Sequence, residues 1–179
     1  MRIKNLFFVA CTVMACAVTL SAQALQSVYT DLGKNCRTLE RDDEAASYLL
    51  QQCEGVGGYK LLVNSGDDRQ GISVVRPDGS KHELLFWQIG GGGFSSVGEK
   101  AEWRVKKIRG KLVPVALIVR FNLSTDPSDS SKITSYLTVT KITPRQVCRV
   151  GEIKPGPNAN EEARRAADSS AAKPCVKPL

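Results

Sequence analysis

The chain has 179 residues, of which 42% are hydrophobic and 24% are charged, and its formal net charge is +7. This length and composition fit a single domain that buries a real hydrophobic core. The basic residues are scattered, so solubility is the first explanation of the positive charge, and an anionic partner such as a cell-envelope polymer is the functional alternative. The sequence shows no platform of aromatic residues on which bases would stack, which disfavours nucleic-acid binding.

The N-terminus has the three parts of a secretory signal peptide. Arg2 and Lys4 are followed by an apolar segment, Leu6–Leu20, and by an A-x-A pattern that ends at Ala24. We expect cleavage after Ala24, so that residues 1–24 are the leader and residues 25–179 form one exported, periplasmic or secreted domain. A retained anchor is disfavoured because the apolar segment is shorter than the roughly 20 residues that span a bilayer. No second apolar span follows.

Four cysteines remain in the predicted domain. They are Cys36, Cys53, Cys148 and Cys175. An even number in an exported chain predicts disulfides, and of the three pairings that four cysteines allow we expect the local one, Cys36–Cys53 and Cys148–Cys175. A zinc site or a catalytic thiol is disfavoured, because no pair has C-x-x-C spacing and the chain has a single histidine, His82. We therefore expect no metal and no cofactor.

The sequence of the first half of the domain predicts an irregular start followed by a β-meander. Residues 25–35 are a short lead-in, and residues 38–52 are compatible with either a helix or a loop held by a disulfide. Three strands then follow, at 59–64, 69–76 and 81–87, because apolar residues alternate there with polar ones. Gly66-Asp67-Asp68 and Pro77-Asp78-Gly79 are typical turns, and such short connections predict antiparallel pairing.

The segment Ala101–Phe121 predicts the central hairpin of the domain. Its two halves flank a turn at residues 109–111. The second half is apolar on both faces, with Leu117 and Val119 on one face and Ile118 on the other. A strand of this kind lies in the middle of a structure and is covered on both sides.

The C-terminal part predicts one or two further strands and a helix. An exposed polar loop, 124–132, precedes a strand at 133–142 and a short strand at 146–150. A short helix with a stripe of alanines follows, capped by Asn158 or Asn160, with Arg164 and Asp168 spaced for an i,i+4 pair. The expected fold is α+β: an antiparallel sandwich or half-barrel of about six or seven strands with a short C-terminal helix and two disulfides. The strand order is not readable from the sequence.

A glycine-rich loop and a basic cluster supply the candidate interaction surface. Gly90–Gly93 is a run of four glycines, flanked by aromatic residues and followed by a basic hairpin. Such a loop is either mobile or its backbone approaches something closely. The candidate surface comprises Gly91, Gly92, Phe94, Ser95, Trp103, Arg104 and Lys106. Core packing of the aromatics and a solvated strand end for the basic cluster are the alternatives.

No catalytic residue is predicted. Glu99 and Glu102, or Asp67 and Asp68, are the carboxylates that a general acid–base pair would need, but surface carboxylates are the usual explanation. His82 and the Ser95-Ser96 pair lack the partners of a nucleophilic site. An enzyme is disfavoured rather than excluded.

Several segments resemble a family of exported bacterial proteins with no known activity. They are GVGGY at 55–59, DDRQGISVVRPDG at 67–79, GFSSVGEKAEWR at 93–104, PVALIVRF at 114–121 and the alanine-rich tail with Cys175. The resemblance covers nearly all of the predicted domain. It implies a Gram-negative, periplasmic setting and lends no catalytic residue.

The function expected from these observations is a non-enzymatic binding or interaction domain of the cell envelope, with an envelope protein or an anionic polymer as its partner. Two alternatives stay open. One is a carboxylate-dependent hydrolase of envelope glycans or esters, and the other is a carrier of a small ligand.

Overall fold

The computed structural model of the chain describes residues 24–44, 47–91, 93–126 and 128–178. The predicted leader lies outside this part except for Ala24. The described strands are β1 (Gln26–Asp31), β2 (Cys36–Asp42), β3 (Tyr48–Glu54), β4 (Lys60–Gly66), β5 (Arg69–Val75), β6 (Lys81–Glu83), β7 (Ser95–Ile108), β8 (Lys111–Ser124), β9 (Ile133–Ile142) and β10 (Val147–Ile153). One α-helix, α1 (Ala159–Asp168), and two short 3-10 helices, Phe86–Gly91 and Ser170–Ala172, complete the described elements.

The strands form two antiparallel sheets of five strands each. Sheet A has the order β1-β7-β8-β9-β10, and sheet B has the order β2-β3-β4-β5-β6. Sheet B and most of sheet A are simple meanders, since nearly every strand pairs with its neighbour in the sequence. The exception is β1, which pairs with β7. The mainly antiparallel fold with a C-terminal helix is thus confirmed.

The main hydrophobic core lies between the two sheets. Sheet B contributes Leu61, Val63, Ile72 and Val74, and sheet A contributes Trp103, Val105, Leu117, Val119 and Phe121. Phe86 packs its ring against that of Phe121, with the centroids 5.0 Å apart. Burial of each large apolar side chain stabilises the fold by about 1.5–3 kcal/mol, so this layer dominates the stability.

The helix α1 covers the other face of sheet A. Ala163 and Ala167 are buried there against Ile118, Leu137 and Val139. Alanine side chains are small, so the helix backbone approaches the sheet closely. Strand β8 is therefore buried on both faces over most of its length, as its apolar residues on both faces predicted.

Both predicted disulfides are present. Cys36 and Cys53 are directly opposed in the register of β2 and β3 and form one bridge. Cys148 and Cys175 form the other, which returns the C-terminal tail to β10. The Val176 N–H donates to the Arg149 carbonyl at 2.9 Å, so the tail is also held by its backbone.

Two arginines join the sheets by reciprocal contacts. Arg76, at the end of β5, donates to the carbonyls of Thr143 and Pro144 between β9 and β10, at 2.8 and 3.3 Å. Arg149 of β10 donates to the Leu84 carbonyl at 3.2 Å. Each sheet therefore satisfies loop carbonyls of the other with a charged donor, which is stronger than a neutral one.

The structure differs from the expected strand count at the N-terminal end. Residues 26–54 contribute three strands, including the 38–52 region for which a helix or a loop was expected. The edge strand β2 is polar and exposed along most of its length. Such a strand has no apolar alternation, so its pattern carries little strand signal. The expected third strand of the meander, 81–87, ends at Glu83 and continues as a 3-10 helix.

Within the described ranges, none of the helices is long and apolar enough to cross a membrane.

Candidate functional site

Strand β7 presents alternate residues to two different environments. Trp103 points into the core, where it is fully buried and its indole N–H donates to Thr30 Oγ1 at 3.0 Å. Its neighbours Glu102 and Arg104 point to the opposite face, toward α1. The strand thus places a carboxylate and a guanidinium beneath the helix.

Glu102 is bound by Arg164 of α1. The Arg164 Nε donates to Glu102 Oε1 at 2.7 Å, and its Nη2 donates to Oε2 at 3.2 Å. The Ser27 hydroxyl donates a further hydrogen bond to Oε1. The Glu102 side chain is only 12% exposed, so these bonds are largely shielded from water. Paired geometry of this kind is the strongest form of side-chain hydrogen bonding.

Arg104 forms a second two-pronged ion pair with the same helix. Its Nε and Nη2 donate to the two carboxylate oxygens of Asp168 at 2.7 and 2.9 Å. Its Nη1 donates to the Ser27 hydroxyl, which itself donates to Glu102. Glu102, Arg104, Arg164 and Asp168, joined through Ser27, are called the ion-pair network below. The network holds α1 against β7 at both ends of the helix face.

The electrostatics favour the charged forms of Glu102, Arg104 and Arg164. Burial raises the pKa of Glu102, but the hydrogen bonds from Arg164 and Ser27 and the charges of Arg164 and Arg104 outweigh it, so the pKa lies below its usual 4.5. The hydrogen bond to Asp168 raises the pKa of Arg104, and that to Glu102 raises the pKa of Arg164. At neutral pH Glu102 is therefore an acceptor and not a proton donor.

A groove of about 530 Å³ lies beside the ion-pair network, between α1 and sheet A. Ile118, Leu137 and Ala163 form an apolar floor. The polar walls include Tyr29, Lys100, Arg120, Asn122, Asn160 and Arg164. This feature is called the α1 groove. A concave site with a few convergent polar groups is the usual form of a ligand site.

Like Lys100, Arg120 is a basic side chain of the α1 groove that has no ion-pair partner among the described residues. Its aliphatic stem crosses Gly98, where a Cβ would lie 2.8 Å from the Arg120 Cβ. Gly98 occupies an irregular part of β7, where the register with β8 shifts between Val97 and Ala101. The Arg120 guanidinium forms no hydrogen bond or ion pair with any residue in the described ranges. It is therefore available to an anion.

The residues of the predicted interaction surface do not lie together. Trp103 is fully buried, and Arg104 is 7% exposed on the opposite face of sheet A. Lys106 is exposed near the far end of β7 from Phe94. Alternation along a strand separates Trp103 from Arg104, and the length of β7 separates Phe94 from Lys106. Core packing is thus the role of Trp103.

Four residues of the predicted surface belong to its glycine-rich end, and the structure describes all of them except Gly92. Phe94 is 46% exposed, and the Arg69 guanidinium lies 5.5 Å from its ring centroid. Ser95 begins β7, and its N–H donates to the Asp68 carbonyl at 2.9 Å. Gly91 ends a 3-10 helix, whereas Gly92 lies outside the described residues.

The candidate carboxylates lie in two places, and the histidine lies in a third. Asp67 and Asp68 occupy the exposed turn between β4 and β5. Glu99 and Glu102 both line the α1 groove, where Glu102 is paired with Arg164 in the ion-pair network. His82 accepts a hydrogen bond from Arg76 Nε at 3.1 Å, and burial and the Arg76 charge lower its pKa. The Ser80 hydroxyl lies 3.4 Å from His82 Nε2, but it donates its hydrogen bond to Asp78 Oδ1 at 2.6 Å.

Sequence reasoning did not identify the α1 groove. The i,i+4 spacing of Arg164 and Asp168 predicts a pair within the helix, but each residue instead binds a residue of β7. The available signal was the stripe of alanines on α1, which indicates that the helix packs closely on a sheet. The sequence of the helix does not indicate which sheet it packs against.

Comparison of the chain with protein-family models, with curated proteins and with solved structures found no match. The assignment of a role to the α1 groove therefore rests on its own side chains.

Proposed function

We propose that this chain is an exported, non-enzymatic binding domain of the cell envelope, and that the α1 groove binds a segment of an anionic polymer. The observation that carries this proposal is Arg120, a cation positioned over Gly98 without a partner among the described residues. Export is supported by the predicted signal peptide and by two disulfides, which persist in oxidising compartments.

The charge balance of the groove favours an anion. Arg164 is neutralised by its two hydrogen bonds to Glu102. Of the other charged groups that line the groove, Lys100 and Arg120 are basic and Glu99 is acidic. The excess is positive, and a guanidinium binds carboxylate, sulfate and phosphate through two parallel N–H groups. An apolar floor beneath these groups suits the carbon skeleton of a polymer repeat.

The ion-pair network makes Glu102 unsuited to acid–base chemistry. Glu102 has a lowered pKa and is committed to Arg164 and Ser27. A general acid needs a raised pKa and access to the substrate. The network instead fixes the walls in place, which reduces the entropy that a ligand must offset on binding.

The test compares the retention of the purified, disulfide-bonded protein on immobilised dextran sulfate and on neutral dextran. We expect binding to dextran sulfate that weakens as salt is raised. The Arg120→Ala variant should lose about tenfold in affinity, since a charge-assisted hydrogen bond contributes about 1.5–3 kcal/mol.

Arg145→Ala is the matched control, because Arg145 is exposed between β9 and β10 and the same charge is removed. Equal losses in the two variants would show that net charge alone drives retention, and the α1 groove would then have no specific role.

A further inference from the structure

The outer face of sheet B, on the far side of the molecule from α1, has a second groove. It has a volume of about 300 Å³ and includes Tyr48, Asn64, Gly66, Gly71, Glu83 and Trp87 in its lining. It is called the outer-sheet groove. Its volume lies at the lower end of the roughly 300–1,000 Å³ of small-molecule sites.

Trp87 is exposed in an unusual way. It follows Phe86, which is 2% exposed and packs in the core, and yet Trp87 itself is 50% exposed. The preceding residue, Leu85, has a φ of 54°, a left-handed conformation that is strained for a large side chain. Arg149 donates to the carbonyls of Leu84 and Leu85 and so holds this turn. The chain thus maintains a strained backbone at the point where it presents an indole ring to solvent.

Gly71 leaves room for the Asn64 side chain on the floor of the groove. Asn64 of β4 is paired with Gly71 of β5. A Cβ at Gly71 would lie 2.9 Å from Asn64 Oδ1, so the Asn64 amide lies across the glycine. Any larger residue at position 71 would push the amide away from the sheet.

The polar groups of this groove have free hydrogen-bonding capacity. The Asn64 amide, the Glu83 carboxylate and the Trp87 indole N–H have no hydrogen-bond partner among the described residues. Arg69, which also lines the groove, is paired with Asp67. The outer-sheet groove therefore combines an aromatic face with neutral and acceptor groups and has no excess of positive charge.

We infer that the outer-sheet groove binds a neutral, β-1,4-linked glycan chain. A pyranose ring presents an apolar C–H face, which stacks on an indole, and a rim of hydroxyls, which pair with planar amides and carboxylates. A β-1,4-linked chain is a flat ribbon, which can lie on the strands where Gly71 has no side chain and beside the exposed Trp87 ring. This site is independent of the proposed anion site, since the two grooves share no residue.

The test is a titration of the purified, disulfide-bonded protein with cellohexaose and with chitohexaose. The chain has two tryptophans, and Trp103 is fully buried. Quenching of fluorescence by acrylamide therefore reports on Trp87, and calorimetry measures the affinity. We expect saturable binding of at least one of the two hexasaccharides, with protection of Trp87 from the quencher. Maltohexaose, whose α-linked chain is helical, should bind at least tenfold more weakly.

Three variants locate the site. Trp87→Ala should lower the affinity at least tenfold, and Gly71→Ala should lower it severalfold by displacing Asn64 without removing a contact group. Ile133→Ala is the control, because Ile133 is 53% exposed on β9, and it should bind as the unaltered protein does. Thermal unfolding checks that each variant is folded, and Asn64→Ala replaces Trp87→Ala in the comparison if the latter is not.

Two results would overturn the inference. One is the absence of binding to both β-linked hexasaccharides at millimolar concentration. The other is binding that persists unchanged in the folded Trp87→Ala and Gly71→Ala variants. Retention on dextran sulfate should be unaffected by Trp87→Ala, so failure at this site and failure at the α1 groove are distinguishable.

Discussion

The Arg164 guanidinium donates hydrogen bonds to both carboxylate oxygens of Glu102, with Nε 2.7 Å from Oε1 and Nη2 3.2 Å from Oε2. The two residues are 62 positions apart in the sequence, one on α1 and one on β7. Because Glu102 is mostly buried, loss of Arg164 would leave its carboxylate with one hydrogen bond, from Ser27, and with the more distant charge of Arg104, whose Nη1 lies 3.9 Å from Oε1. The stability of the protein therefore depends on the packing of α1 against β7.

We expect Arg164→Met to lower the free energy of unfolding by about 2 kcal/mol, as measured by urea denaturation. The physical reason is the cost of leaving a shielded charge without its hydrogen bonds, reduced because Arg164 is itself 39% exposed. Arg165→Met is the control. Among the described residues the Arg165 side chain pairs only with Glu161, in an exposed i,i+4 contact, so this variant should cost less than about 0.5 kcal/mol. Similar losses in both variants would contradict a structural role for the Arg164–Glu102 pair.

The same pair predicts a pH dependence of stability. The pKa of Glu102 is lower in the folded protein than its usual 4.5, so the folded state binds the proton less readily than the unfolded chain. Its contribution is therefore present above about pH 4.5 and is lost as the pH falls through the folded pKa. We expect the difference in unfolding free energy between the unaltered protein and Glu102→Gln to shrink as the pH is lowered from about 6 toward 3. A difference that stays constant over this range would show that Glu102 does not titrate with the fold.

The single histidine of the chain offers a clean titration by NMR. Burial and the nearby charge of Arg76 lower the pKa of His82 from 6.5, while Asp78 acts in the opposite direction. A lowered pKa means that the folded state disfavours the proton, so His82 costs stability as the pH falls through the ordinary value of 6.5. We expect Arg76→Gln to raise the pKa of His82. No change in that variant would mean that burial alone accounts for the shift.

Removal of the tail disulfide should have a local as well as a global effect. The Cys148–Cys175 bridge spans 27 residues and the Cys36–Cys53 bridge spans 17. Loop entropy predicts that replacing either pair by serine costs about 3 kcal/mol, with little difference between them. Hydrogen exchange should separate the two variants, because the Val176 N–H bonds to β10 next to Cys148. We expect faster exchange at Val176 in the Cys148→Ser, Cys175→Ser protein alone, and equal exchange in both variants would refute a tethering role.

Local patterns determined a large part of the fold. The apolar residues on both faces of β8 predicted a strand buried on both sides, and Leu117 and Ile118 indeed face the two different cores. The alanine stripe predicted α1, and short sequence separation favoured the correct disulfide pairing. Each of these signals lies within a short segment of the chain, so it can be recognised in the sequence without knowledge of the tertiary structure.

Only the tertiary structure decided the rest. The exposed β2 has no apolar alternation, so its strand forms because β3 supplies the hydrogen bonds. Glu102 and Arg164 meet because α1 packs across β7. The Asn64 amide lies across Gly71 because Gly71 is its partner on the next strand. Sequence by itself determined which segments are apolar and where they turn. Pairing between distant segments decided which charged groups are matched and which face a groove, because such pairing depends on the packing of whole sheets and not on any local period.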